Sequence, residues 1–408
     1  MADMESITQS SNPQSAHKSL PDFSNTEIAF SNKSDSQLRE TARLFTLMNN
    51  KTLVRLGSVI GYRAVKWRLP FTDMIVRNTI FKQFCGGENL ADCKTTIEKL
   101  YRFNTLTILD YGAEGKSDEK DWEAVMQETI QAIRTAATHK SVPIVSTKIT
   151  GLINKDILEK VQSGQKLSTN EEGHFQRLKQ RLEKICTVAA EAGIGIYVDA
   201  EESWIQNPID ELVLQLMESF NKEKAIVYNT YQLYRTDRLD ALKKDHQRAV
   251  DAGVYFGAKL VRGAYMDKER KRAAAMGYPS PIQPDKSATD RDYNLAVEYV
   301  VQNYRSIASC CASHNAESNL LQAKLIDDLQ IPHNHPHLMF SQLYGMSDNL
   351  TFNLANSGYN ASKYVVYGPI KDVIPYLIRR TEENSSVTGE MSRELVLIDA
   401  EIKRRGLK

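Results

Sequence analysis

No Gly-x-Gly-x-x-Gly occurs anywhere in the 408 residues, which excludes a dinucleotide held in the usual Rossmann manner. No apolar run is long enough to span a bilayer. Neither sign of charge is in excess, with 52 Lys and Arg against 51 Asp and Glu, and no basic block is dense enough to argue for a nucleic-acid partner. Cysteine is scarce: Cys85, Cys93, Cys186, Cys310 and Cys311, an odd number with two neighbours inside an apolar stretch. That fits a reducing compartment and argues against a disulfide framework or a zinc site. Arginine is missing before Arg39, and residues 1–35, rich in Ser, Asn, Gln and Asp, carry no apolar stretch of signal-peptide type and are expected to form a disordered tail. A mitochondrial presequence is arginine-rich and acid-poor, so this composition favours the bacterial cytoplasm, with the inner face of the membrane in reach, or a mature form already trimmed.

What the chain does have is alternation. Short apolar runs at 106–110, 143–149, 195–199, 225–230, 256–261, 307–313, 337–343 and 363–367 read as strands. Amphipathic runs near 119–139, 173–191, 210–220, 233–251, 289–304, 318–329, 350–355 and 371–383 read as helices. Strands that are nearly all apolar are buried on both faces, which argues for a parallel (β/α)8 barrel over 104–388. A helical region over 36–103 would pack on it, and a last helix would occupy 389–408. Between Lys51 and Lys82 the helical region has seven basic residues and one acid, a surface able to touch anionic lipid or to serve as a collar with snorkelling Lys and Arg.

Active sites on barrels sit at the C-terminal ends of the strands. Those ends carry Asp110 and Glu114, Lys148, Asp199 and Glu201, Asn229 and Tyr231, Lys259, Arg262 and Tyr265, His314 and Asn315, Gln342 and Tyr344, and Tyr367. After the last strand, Tyr376, Arg379, Arg380 and Glu383 fall at i, i+3, i+4 and i+7, one face of a helix. Two adjacent guanidiniums suit a small anion such as a carboxylate, and the same spacing suits a solvated face with internal ion pairs. Lys148 or Lys259 at a strand end would suit a Schiff-base aldolase or lyase, and a barrel used only as an interaction module is a third reading. His333, His335 and His337 precede their strand and so lie at the barrel bottom, away from chemistry, and no metal is expected. Gly112-Ala-Glu-Gly-Lys-Ser117 lacks the first glycine of a phosphate loop.

Taken together, Val198-Asp-Ala-Glu-Glu-Ser-Trp204, Tyr228-Asn-Thr-Tyr-Gln-Leu-Tyr234, Gly257-Ala-Lys-Leu-Val-Arg-Gly-Ala-Tyr-Met266, Pro281-Ile-Gln-Pro284, Ala312-Ser-His-Asn315, Gln342-Leu-Tyr-Gly-Met346 and the stretch from Lys363 to Asn384 resemble the proline dehydrogenases. These are flavoenzymes on a distorted (β/α)8 barrel, and the likeness is greatest to the monofunctional, eukaryotic-type branch. The resemblance implies oxidation of L-proline to Δ1-pyrroline-5-carboxylate by hydride transfer to FAD, with electrons passed to a membrane quinone. It implies Arg379, Arg380 and Lys148 as partners of the proline carboxylate. Tyr367, Tyr376, Tyr265 and Leu343 would pack around the ring, Asp199 would hold Tyr367 and the cations, and Glu114 would pair with the first arginine. A tyrosine at 367 would favour proline over 4-hydroxyproline. For FAD it implies Lys259, Arg262, Gly263 and Ala264 under the flavin and pyrophosphate, with lysine at 259 where the family often has arginine. It also implies Asn229 and Gln232 at the flavin edge, Ser313, His314 and Asn315 after the sixth strand, and Lys286, Thr289 and Glu383 toward the adenosine half.

Overall fold

The computed structural model describes residues 20–50, 72–112, 118–386 and 390–407, without the side chains of 381–392. Eight parallel strands close on themselves in chain order: β1 Leu106–Tyr111, β2 Ile144–Thr147, β3 Gly195–Val198, β4 Val227–Gln232, β5 Phe256–Val261, β6 Ile307–Ala312, β7 Leu338–Leu343 and β8 Ala361–Tyr367. β1 closes the ring by pairing with both β2 and β8, so Ile108 lies opposite Ile144 on one side and Tyr364 on the other. Successive side chains along a strand point to opposite faces. Leu109, Val145, Ile196, Val227, Phe256, Cys311 and Phe340 therefore meet the surrounding helices in one buried cluster. Ile108, Ile144, Tyr197, Tyr228, Cys310, Met339 and Tyr364 belong to a second, which fills the barrel.

Local signals set the helices. Thr169–Ala192 begins with a Ser168–Glu171 capping box, buries a stripe through Leu178, Leu182, Ile185 and Ala189, and stops at Gly193 with φ +69°. Met266–Met276 follows β5 although the sequence pattern showed no helix there, because only Glu269 and Ala273 of its residues are buried and no apolar period exists to be read.

Residues 20–35, the described part of the expected tail, are packed on the rest of the chain. Thr26–Ala29 is a helical turn capped by Asn25, and Ala29 and Phe30 are 0% and 2% exposed. The side chains of Asn349 and Asn353 donate to the carbonyls of Phe23 and Asn25. The C-terminal helix Glu390–Arg404 packs on the same region, and Arg405 donates to the carbonyls of Phe30 and Lys33. Of the basic stretch from Lys51 to Lys82, residues 51–71 lie outside the described residues. The three histidines before β7 serve the scaffold: His333 donates from Nδ1 to the Ser357 carbonyl, and His337 from Nδ1 to that of Tyr304.

Candidate active site

The strand ends meet over a cavity of about 360 Å³ at the C-terminal mouth of the barrel. At its floor stands Asp199, one residue past β3. Lys148 lies 3.0 Å from one carboxylate oxygen and Lys259 2.7 Å from the other. Ser146 donates to Asp199 at 3.0 Å and Tyr364 at 2.7 Å. Burial opposes the charge on Asp199, but Lys148 and Lys259 outweigh it and hold the carboxyl well below its usual range. Burial and the carboxylates of Asp110 and Asp199 push the Tyr364 phenol well above its ordinary value, so it remains a donor. Asp110 lines the same floor, 3.7 Å from Lys148.

Helix Ile370–Ser386 leans over this floor. Its apolar face, Val373, Ile374 and Leu377, is buried in a cluster shared with Phe45, Met48, Phe81 and Val366, and Tyr376, Arg379 and Arg380 line the cavity. Arg380 is 8% exposed and lies over the Tyr376 ring at 5.2 Å. Tyr265 and Leu343 also line the cavity. Two guanidiniums and an ammonium thus face one space walled by aromatic and apolar side chains, which suits a small apolar ring bearing a carboxylate.

The other half of the cavity is built differently. Arg262 donates to Asp290 at 2.7 Å and to Ser313 at 2.6 Å, with its guanidinium stacked 4.3 Å over Tyr293. Gly263 has φ +143°, and a Cβ there would come within 2.3 Å of the Tyr234 ring, so only glycine lets the backbone pass so close. Ala264, Lys286, Ser313, His314, Asn315 and Gln232 line the wall around it. The Oε1 of Gln232 is buried without a hydrogen-bond partner among the described residues. Burial first, then Lys363, Arg380 and Arg262, push the His314 imidazole down to about 3, so it is neutral.

Three expected residues lie elsewhere. Tyr367 is on the outer face of β8, where its hydroxyl donates to Glu128 at 3.0 Å; the tyrosine that Asp199 holds is Tyr364. Three positions along a strand reverses the face, and the argument about 4-hydroxyproline lapses at 367 with it. Asn229 also points outward and donates to Asp210 at 2.9 Å, whereas Gln232, again three positions on, faces in. Thr289 donates back to the Asp285 carbonyl and is absent from the cavity wall. Glu114 lies outside the described residues, as does the side chain of Glu383. Asp110, expected at the end of its strand, lines the cavity, and so do Tyr364 and Met346, for which no role was expected. The alternation rule alone would have paired Tyr364, rather than Tyr367, with an inward lysine or carboxylate once one inward residue of β8 was known.

Residues 93–393 match the family described as proline dehydrogenase. The chain belongs to the proline dehydrogenase family. Among its relatives, "Proline dehydrogenase 1, mitochondrial" of Dictyostelium discoideum is 32% identical over 377 residues, covering 82% of this chain and 66% of that protein. The human protein of the same name is 33% identical over 372 residues, covering 89% of this chain and 59% of that protein. The chain therefore spans less than two thirds of the length of these two proline dehydrogenases. The crystal structure of proline utilization A from Bdellovibrio bacteriovorus, inactivated by N-propargylglycine, shares the fold with a TM-score of 0.70 at 22% identity, over 90% of this chain and 39% of that one.

These relatives correct the expected location. The arginine-poor start favours a bacterial cytoplasmic protein, but the Dictyostelium and human relatives are named as mitochondrial proteins. Among the described residues no helix is long and apolar enough to cross a membrane. Membership implies a flavin, and the second half of the cavity fits one. A flat polar-edged ring with an anionic tail suits Lys259 and Arg262 at the centre, a bare Gly263–Ala264 edge, the orphan Gln232 oxygen, and Lys286 at the rim with a side chain 68% exposed.

Proposed function

We propose that the chain oxidises L-proline to Δ1-pyrroline-5-carboxylate, with FAD as the first acceptor and a membrane quinone as the second, in the mitochondria as its relatives' names suggest. The observation that supports this most is the placement of Arg379, Arg380 and Lys148 around one cavity beside an aromatic wall. The arginine pair binds the substrate carboxylate and fixes which ring carbon faces the cofactor. Tyr364, Tyr376, Tyr265 and Leu343 enclose the pyrrolidine ring and exclude water. A bound flavin supplies the hydride-accepting position, while the amine proton passes to solvent. Asp199 is a poor proton acceptor, because two ammoniums stabilise its anion; it holds Lys148, Lys259 and Tyr364 in place. Cationic Lys259 and Arg262 favour negative charge building on the cofactor.

The Tyr364 hydroxyl is committed to Asp199 and offers no partner to a substrate hydroxyl, which supports proline over 4-hydroxyproline. The Schiff-base lyase is not favoured. Lys148 and Lys259 are both engaged by Asp199, an arrangement that does not leave either amine free to attack a carbonyl. The test is the visible spectrum of the purified protein under anaerobic conditions. A flavin band that bleaches with proline and not with 4-hydroxyproline is expected. A protein that takes up FAD but keeps its colour with proline would refute the substrate, and one that takes up no FAD would refute the cofactor.

A further inference from the structure

The end of β7 and the loop after it line the cavity through Leu343 and Met346, and groups outside the barrel interior help to hold that loop. Gln83 donates to the Gly345 carbonyl at 2.7 Å, and Lys363, on the outer face of β8, donates to that of Met346. Lys363 also pairs with Asp348 at 2.8 Å, as does Lys33 from the N-terminal segment at 3.3 Å. Between them stands Ser347, a residue other than glycine in the left-handed region, with φ 50° and ψ 46°. Such a conformation costs on the order of 1 kcal/mol and persists only where its surroundings impose it. The Ser347 carbonyl accepts from Thr351 in the following helix, and its backbone N–H donates to the carboxylate of Glu394 on the C-terminal helix Glu390–Arg404.

Ser347 reaches the cavity through its side chain, since its Oγ lies 2.8 Å from Nδ1 of His314. A neutral imidazole has one N–H, and the partner of Nδ1 decides which nitrogen carries it. Among the described residues the Ser347 hydroxyl has His314 as its one hydrogen-bond partner, so it satisfies its proton by donating to Nδ1. The imidazole proton then sits on Nε2.

We propose that Glu394 is a positioning residue of the active-site cavity: by holding the Ser347 backbone it aims the Ser347 hydroxyl at Nδ1 and fixes His314 as the Nε2–H tautomer. The helix Glu390–Arg404 is then part of the site although none of its residues whose side chains are described lines the cavity. Burial and the Asp348 carboxylate push Glu394 up to about 7, consistent with a carboxyl group locked against this loop and not one solvated on a free helix.

The inference concerns the geometry of His314 and can fail independently of the activity proposed above, because its readout needs no turnover. The full-length protein is labelled with 15N-histidine, the two ring nitrogens are followed by two-bond correlation, and His314 is assigned by its loss in His314→Asn. Wild type should show a bare Nδ1 and a protonated Nε2. Glu394→Ala should move both shifts toward the average of two tautomers, whereas Glu394→Gln, whose amide oxygen still accepts from Ser347, should keep the wild-type pattern. Glu394→Asp, too short to reach, should behave as the alanine variant and serves in its place if that variant does not fold. A wild-type pattern in Glu394→Ala or Glu394→Asp, or a wild-type protein with both tautomers populated, overturns the proposal.

Discussion

Tyr364 and Asp199 are joined by a 2.7 Å hydrogen bond that runs across the barrel mouth from β8 to the residue after β3. The bond ties the aromatic wall of the cavity to the group that holds both lysines. Tyr364→Phe keeps the ring and removes one donor from a buried carboxylate, an interaction worth about 1.5–3 kcal/mol. The expected result is a fall in kcat/KM for proline of about tenfold to a hundredfold with the fold retained. Tyr367→Phe, which loses a bond to Glu128 outside the cavity, should lower thermal stability by about 1 kcal/mol and leave kcat/KM within twofold. Steady-state kinetics of the pair decide between the two tyrosines, and equal losses would refute the assignment.

Arg379→Lys replaces a planar fork by a point charge at the cavity wall. The proline KM should rise at least tenfold while flavin content, read from the absorbance of the purified variant, stays unchanged. A KM equal to that of wild type removes Arg379 from the carboxylate clamp.

Asp199→Ala leaves two ammoniums and a phenol facing each other without their carboxylate. Breaking a buried pair in this way costs about 3–5 kcal/mol, so the urea midpoint should fall markedly. Asp199→Asn, which keeps the shape and loses the charge, should also release Lys148 and depress kcat. An unchanged midpoint in Asp199→Ala would show that the cluster does not stabilise the fold.

Glu201 accepts from both the backbone and the hydroxyl of Thr150, two residues beyond Lys148. Burial pushes its carboxyl up to about 7. A carboxyl raised on folding contributes stability that is present below its unfolded value and is lost as pH rises through the folded one. Wild type should therefore lose stability between pH 5 and 8 relative to Glu201→Gln, by up to about 3 kcal/mol. Parallel pH profiles of Tm for the two proteins would show that Glu201 does not titrate in this window.

Membrane contact is proposed for the basic stretch from Lys51 to Lys82, within which Met74 and Ile75, and just before which Leu47, are more than half exposed, at 54%, 60% and 59%. Replacing Arg55, Arg63, Lys66 and Arg68 by Glu should abolish co-sedimentation with anionic liposomes at low salt and leave proline oxidation with a water-soluble acceptor intact. Undiminished sedimentation would remove the idea.

The sequence by itself determined the barrel and the arginine pair. Eight apolar runs separated by amphipathic ones admit few other closures, and a 3.6-residue period puts Tyr376, Arg379 and Arg380 on one face wherever the helix docks. It did not determine which face of β8 or β4 turns inward. A strand buried on both sides has no polar alternation to mark its interior, so Tyr364 and Tyr367, or Asn229 and Gln232, look equally eligible until closure of the ring fixes the pleat. Nor did it show that Asp199 would gather two lysines, or that Glu394 would meet Ser347 from a helix 47 residues further along the chain. Those contacts join residues far apart in sequence through side chains of no fixed local pattern, and only packing of the finished barrel against the two ends of the chain brings them within reach.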